Sequence, residues 1–161
     1  MSLNWREIEV VLSELDLVGA QIQKVVQPSY DTLLLSCYKP GAATELLFCV
    51  AHGACRIHAT SVRVPKAEKP QRFMELLRAQ LRGLRIESVE QLGSERIVRL
   101  VAGKDDERRV LYARLWSGAA NIILCRPDGT IVDALARKPA RGELAGGRYE
   151  PQAGAAPAKE F

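Results

Sequence analysis

Apolar and polar positions recur at two different periods along this chain, and the switches between them divide it into elements. In "NWREIEVVLSEL", Trp5, Ile8, Leu12 and Leu15 fall at helical spacing and form one apolar stripe. Asn4 with Glu7 three residues on predicts a capping box, and Gly19 is the expected stop. The pattern then becomes β-like. "AQIQKVVQPS" alternates Ile22 with Gln21 and Gln23 and ends at Pro28. "DTLLLSCYKPG" and "TELLFCVAHG" are apolar runs separated by the turn-like "KPGAA", and "CRIHATSVRV" adds a further short strand. Together they predict an antiparallel meander.

A second helix is predicted over "KPQRFMELLRAQLRG", with Pro70 in its first turn, where a missing N–H costs nothing, and Gly83 closing it. Phe73, Leu76, Leu77, Leu81 and Leu84 cover one side. The third block is β again: "RIESVEQ", "RIVRLVA", "RRVLYARLW" and "NIILCRPDGTIVDAL". In it "GKDDE" reads as a surface hairpin loop and "RPDG" as a tight turn, with Pro setting φ and Gly free to take φ > 0. Strands segregated around two helices predict an α+β fold, an antiparallel β-sandwich or flattened barrel of about eight strands. There is no βαβ rhythm and no glycine-rich phosphate loop, which argues against a Rossmann or P-loop enzyme.

Composition changes this picture only at the end of the chain. The stretch "RKPARGELAGGRYEPQAGAAPAKEF" is rich in Ala, Gly and Pro, so the expected organisation is a domain over residues 1–137 and a linker or exit segment over 138–161. The 161 residues, 47% hydrophobic and 26% charged, suit one soluble globular domain. No run approaches the roughly 18 to 20 apolar residues a bilayer requires, and "MSLNWREIEVV" lacks the pattern of a signal peptide. The four cysteines, Cys37, Cys49, Cys55 and Cys125, form no CxxC pair and read as free thiols. A cytoplasmic protein is expected. The net charge of +4 permits nucleic acid as a partner without demanding it.

Candidate chemistry is sparse. His52, Cys55 and His58 recur every three residues, but on a strand such neighbours point to opposite faces, and a fourth ligand is not in view. No metal and no cofactor are expected. There is no nucleophile elbow, and Asp105-Asp106 reads as a solvated loop. Arg78, Arg82 and Arg85, with Lys66, Lys69 and Arg72 nearby, read either as a cationic face for phosphates or as a solvated helix face broken by Glu75. Glu95 and Arg96, in "QLGSERIVRL", sit where a turn hands over to an apolar run. On a strand they point to opposite faces and do not pair with each other. The residues alone leave two readings, a ladder-end charge or a binding site.

The order of these motifs carries a resemblance. An amphipathic first helix, "QIQKVVQPS", "TELLFCVAHGACRIHAT", "PQRFMELLRAQLRGLRIESVEQLGSERIVRL", "NIIL" with "DGTIVDAL", and "GGRYEPQ" resemble the NFACT N-terminal domain, from about Asn4 to Pro151. These proteins are often labelled fibronectin-binding protein A-like. The resemblance implies a fold similar to the N-terminal domain of formamidopyrimidine-DNA glycosylases. It further implies a non-enzymatic part of a ribosome-associated quality-control factor, with tRNA and the large ribosomal subunit as partners and no membrane or small-molecule substrate. The alternatives are a fibronectin-binding adhesion protein and, further off, a glycosylase-related module. The latter's chemistry needs an N-terminal Pro followed by Glu, where this chain starts Met1-Ser2-Leu3.

Family members carry an Asp-Arg pair, implicated in tRNA engagement and tailing, at the position matching Glu95-Arg96. Arg96 therefore leads the nucleic-acid contacts the resemblance implies, followed by Glu95, Arg78 and Arg56, with Arg82 and Asn121 completing the set. A guanidinium offers phosphate a planar, permanently charged fork. The chain departs from the family pattern in several places: Asn4 replaces an acidic residue, "LRAQ" replaces "LRKH" on the second helix, and "SGAAN" at 117–121 keeps only the Asn of "GRHSN".

Overall fold

A computed structural model of the chain describes residues 3–61, 71–93, 95–116, 118–149 and 151. The elements follow the predicted order: α1 (Trp5–Glu14), β1 (Gln21–Ser29), β2 (Thr32–Lys39), β3 (Ala42–Cys49), β4 (Arg56–Ala59), α2 (Arg72–Leu81), β5 (Arg85–Gln91), β6 (Ile97–Lys104), β7 (Glu107–Arg114), β8 (Asn121–Cys125) and β9 (Ile131–Ala134). The α+β class stands. Among the described residues, nine strands form a single antiparallel sheet in the order β4-β3-β2-β1-β5-β6-β7-β8-β9, which is not closed into a barrel.

The sheet has two meander halves, β1–β4 and β5–β9, joined by a short contact between the starts of β1 and β5. There Gln21 faces Arg85, and the amides of Gly83 and Ile86 donate to the carbonyls of Ile22 and Ala20 at 2.7 and 2.8 Å. The main core is shared by both halves: Ile22, Leu35 and Phe48 from the first cluster with Leu100, Leu111 and Ile122 from the second. Each helix packs against both halves, α1 on β4 and β5, α2 on β1 and β9. Helical periodicity explains why: Phe73, Leu77 and Leu81 of α2 and Ile8 of α1 are the positions fully buried.

Local signals held where they depend on few residues. The capping box is formed, with the Glu7 amide donating to Asn4 Oδ1 at 2.8 Å and the Asn4 amide to Glu7 Oε1 at 2.9 Å. In the β8–β9 hairpin Gly129 takes φ +94, and the Thr130 amide donates to Asp128 Oδ1 at 2.8 Å. Gly19 does not stop α1. The helix ends at Glu14, where Leu15 turns extended (φ −85, ψ 133), and Gly19, at φ +92, serves the entry to β1 instead. Pro70, Lys66 and Lys69 lie outside the described residues.

The segment from residue 138 begins against the sheet. A short 3-10 turn, Pro139–Arg141, follows β9, Glu143 is 4% exposed, and the Tyr149 ring meets Tyr112 of β7 edge-on at 4.9 Å. The Ile131 amide donates to the Gly147 carbonyl at 2.8 Å, so this stretch lines the outer edge of β9.

Candidate nucleic-acid interface

Glu95 and Arg96 lie in the turn between β5 and β6 rather than on the strand, which starts at Ile97. The turn is well tied. The amides of Leu92 and Glu95 donate to the carbonyls of Ile97 and Leu92, each at 3.0 Å, and the Leu115 amide donates to the Arg96 carbonyl at 2.8 Å. Gln91 Nε2 clamps it from the strand end, donating to the carbonyl of Glu95 at 2.8 Å and to that of Trp5 at 2.9 Å. Both charged side chains are half-buried, and among the described residues no hydrogen bond or ion pair engages either one. A fixed backbone thus presents a guanidinium whose donors have no partner among the described residues.

Arg56 opens β4. Its Nε donates to His58 Nε2 at 3.2 Å and its Nη1 to the Ala54 carbonyl at 3.0 Å. The start of α1 links this strand to the Arg96 turn: the Leu3 amide donates to the Cys55 carbonyl at 2.8 Å, and two residues on the Trp5 carbonyl takes the Gln91 side chain. Arg56 and Arg96 are therefore gathered around one helix N-terminus. Arg78 and Arg82 are not. Both are exposed, on the half of α2 where Gln80 accepts from Arg109 of β7 at 2.7 Å, while Arg72 at the helix start reaches Asp133 at 2.5 Å. At about 1.5 Å rise per residue, Arg82 stands about 15 Å further along the helix than Arg72.

Asn121 is fully buried and spends its side chain inside the fold. Nδ2 donates to the Ala136 carbonyl and to Glu143 Oε1, and Oδ1 accepts the amides of Ile122 and Ala136, all at 2.9–3.0 Å. That exhausts two donors and two acceptor sites and leaves none for a ligand. Its partner Glu143 also receives both Nη atoms of Arg114, at 2.9 and 2.8 Å, in a bidentate pair with both side chains about 6% exposed. Burial alone would raise the Glu143 carboxyl, but the bonds from Arg114 and Asn121 and the nearby cations hold it below its usual value. Asp133 behaves alike. Burial opposes its charge, yet Arg137, the Ala134 amide and Arg72 keep its pKa lowered.

This end of the sheet carries cations that the sequence did not single out as a group. Residues 95–96, 114–121 and 133–143 hold Arg96, Arg114, Arg137, Lys138 and Arg141 against Glu95, Asp133 and Glu143, and Arg72 reaches in as a sixth cation. A surplus of three here compares with a net charge of +4 for the whole chain. Strand register and the return of 138–143 assemble it, and no local sequence pattern announces it. The thiols offer no competing chemistry. All four are buried, and burial pushes Cys37 and Cys125 up to about 12. Among the described residues no group of His, Cys, Asp and Glu is placed to hold a metal.

An α+β domain built on one open antiparallel sheet, with a cationic end around a rigid Glu-Arg turn, defines the class. The chain belongs to the NFACT family: residues 7–146 match the family described as NFACT N-terminal and middle domains. It is 30% identical over 131 residues to the human ribosome quality control complex subunit NEMF, covering 80% of this chain and 12% of that protein. It is 29% identical over 126 residues to the Rqc2 homolog RqcH of Bacillus subtilis (strain 168), covering 74% of this chain and 22% of that one. The chain thus spans less than a quarter of these relatives' length. Among solved structures, the N-terminal domain of fibronectin-binding protein PavA from Streptococcus pneumoniae superposes with a TM-score of 0.86 at 25% identity, covering 99% of this chain and 66% of that one.

Proposed function

We propose that this domain binds tRNA and the large ribosomal subunit as the N-terminal part of a cytoplasmic quality-control factor acting on stalled nascent chains, as a binding element and not as an enzyme. One observation carries the reading. Arg96, half-buried and without a partner among the described residues, is held on a backbone tied by five hydrogen bonds at the end of the sheet where positive charge accumulates. An anchored, unspent guanidinium in a cationic surround suits a phosphodiester. The kinship with NEMF, a ribosome quality control complex subunit by name, supports the same assignment. Glu95 supplies the acidic neighbour, and Arg56 extends the contact across the start of α1. Arg78 and Arg82, on the far half of α2, make a second contact only with a ligand long enough to run along that helix.

The test is a titration of labelled tRNA and of matched duplex DNA at two salt concentrations, for the native chain and for Arg96→Ala. Preferred tRNA binding is expected. The substitution should weaken it and reduce the dependence of log K on log salt by about 1, the signature of one lost phosphate contact. Equal, salt-sensitive binding of both nucleic acids regardless of Arg96 would reduce the patch to generic charge and overturn the reading. The name of the PavA neighbour motivates a fibronectin control in the same titration. Saturable fibronectin binding with no tRNA binding would favour the adhesion reading.

A further inference from the structure

Lys138 is an unsatisfied cation in a half-buried place. It lies four residues past the end of β9, and its Nζ donates to the Ala120 carbonyl at 3.2 Å. An ammonium has three N–H groups, so two lack a partner among the described residues. The charges around it are badly matched. Burial disfavours the charged ammonium and lowers its pKa, Arg114 and Arg141 lower it further, and only Glu143 acts in the opposite sense. Glu143 is already engaged, Oε2 by Arg114 Nη1 and Oε1 by Arg114 Nη2 and Asn121 Nδ2, and among the described residues it makes no ion pair with Lys138. Arg141 sits on the 3-10 turn whose cap is Lys138, is exposed, and has no side-chain partner among the described residues. Two cations thus stand on one turn after β9, the Arg141 amide donating to the Lys138 carbonyl at 2.9 Å, and among the described residues neither has a carboxylate in ion-pair contact. An anion placed between them would remove the mismatch at once, since opposite charge within a few ångströms favours the charged lysine.

We propose that Lys138 and Arg141 form a phosphate subsite beside the Arg96 turn, taking a phosphate oxygen through the two remaining ammonium donors and the Arg141 fork. The subsite lies at the sheet end that holds Arg96: Lys138 bonds the β7–β8 connection at Ala120, and that same connection begins at Leu115, whose amide bonds the Arg96 carbonyl. The assignment rests on the RNA reading for its natural ligand, a backbone phosphodiester. The same chemistry would take the phosphate of a small molecule, and the two sources are separable by experiment.

The chain is labelled with 13C at the lysine ε-carbon. The Lys138 signal is identified by its absence in Lys138→Arg and followed through pH titrations alone, with inorganic phosphate, and with tRNA. In parallel, the salt dependence of tRNA binding is measured for Arg96→Ala, Arg141→Gln and Lys138→Met/Arg141→Gln, with Lys138→Arg as the variant that keeps the charge. The expected result is an upward shift of the Lys138 titration with either anion. The salt slope should fall by about 1 for each cation lost and be retained in Lys138→Arg. Arg141→Gln alone, at an exposed position, keeps the test open if loss of Lys138 prevents folding.

An unchanged slope in Arg141→Gln and in the double variant, while Arg96→Ala still weakens tRNA binding, overturns the subsite and leaves the RNA reading standing. A Lys138 shift with inorganic phosphate but no tRNA binding overturns the RNA reading and keeps the subsite, now for a free phosphate group. No Lys138 response to either anion overturns the subsite, and no tRNA binding in the same titration overturns the RNA reading as well.

Discussion

Arg114 and Glu143 come from positions 29 residues apart and meet as a bidentate pair with both side chains almost excluded from solvent. Removing one partner strands a buried charge, so Glu143→Ala should cost about 3–5 kcal/mol in a urea melt, whereas replacing both by Met and Leu should cost much less. The pH dependence has a definite sign. The folded-state carboxyls of Glu143 and Asp133 lie below their ordinary values of 4.5 and 3.8, so their contribution is fully present above those values. It is lost as pH falls through the still lower folded values. Acid unfolding below about pH 4.5 should therefore be shallower in Glu143→Gln than in the native chain, and an identical acid limb in the two proteins would contradict the assignment. Nothing in "RGELAGG" discloses this role, because a lone Glu among Ala and Gly matches the composition of a linker, and its partner is fixed only by the register of β7. Glu95 and Arg96 were legible for the opposite reason: two full charges interrupt an apolar pattern within one decapeptide.

Among the elements, α1 shows what local chemistry can specify. Its capping box was readable because it needs only Asn4 and Glu7, three residues apart. The end of the helix was not, because the chain leaves it at Leu15 to bury Leu17 and Ala20, each 2% exposed, in a core made mainly by distant strands. Asn4→Ala should cost about 0.5–2 kcal/mol, and Asn4→Asp, another good cap, only a few tenths. The consequence should reach the interface. Trp5 opens α1, and its carbonyl shares the Gln91 clamp with Glu95. A frayed first turn therefore loosens the Arg96 turn. Hydrogen exchange of the Glu95 amide, bonded to Leu92, should accelerate in Asn4→Ala and not in Asn4→Asp. Unaltered exchange at Glu95 would show that the turn holds its shape without the helix.

At the scale of the molecule, the pattern of strands and helices was legible from periodicity, but their closure was not. A run of apolar residues does not say whether the ninth strand meets the first, and here the two meanders join through a short stretch of β1 and β5 and stay open at β4 and β9. So narrow a joint would allow the halves to unfold separately if each had its own core. Each has only a small cluster of its own, Leu34, Leu47 and Cys49 in one and Val110, Ile123, Cys125, Ile131 and Ala134 in the other, while the main core takes residues of β1–β3 and β6–β8 together, with α2 packed on β1 and on β9. Leu77, fully buried in the middle of α2, is a direct probe of that sharing. Leu77→Ala should cost about 2–5 kcal/mol, and for a domain of this size the melting temperature should fall by roughly 5 to 20 °C. A shared core also requires that the loss be felt on both sides. The two tryptophans report on different parts, Trp5 beside β5 and Trp116 after β7, while far-UV circular dichroism reports on the whole sheet. Melts followed by fluorescence and by dichroism should coincide before and after the substitution and move together. A second transition appearing in Leu77→Ala would mean that one meander keeps its fold without the other, and the cationic end on β5–β9 would then be a unit able to bind without β1–β4.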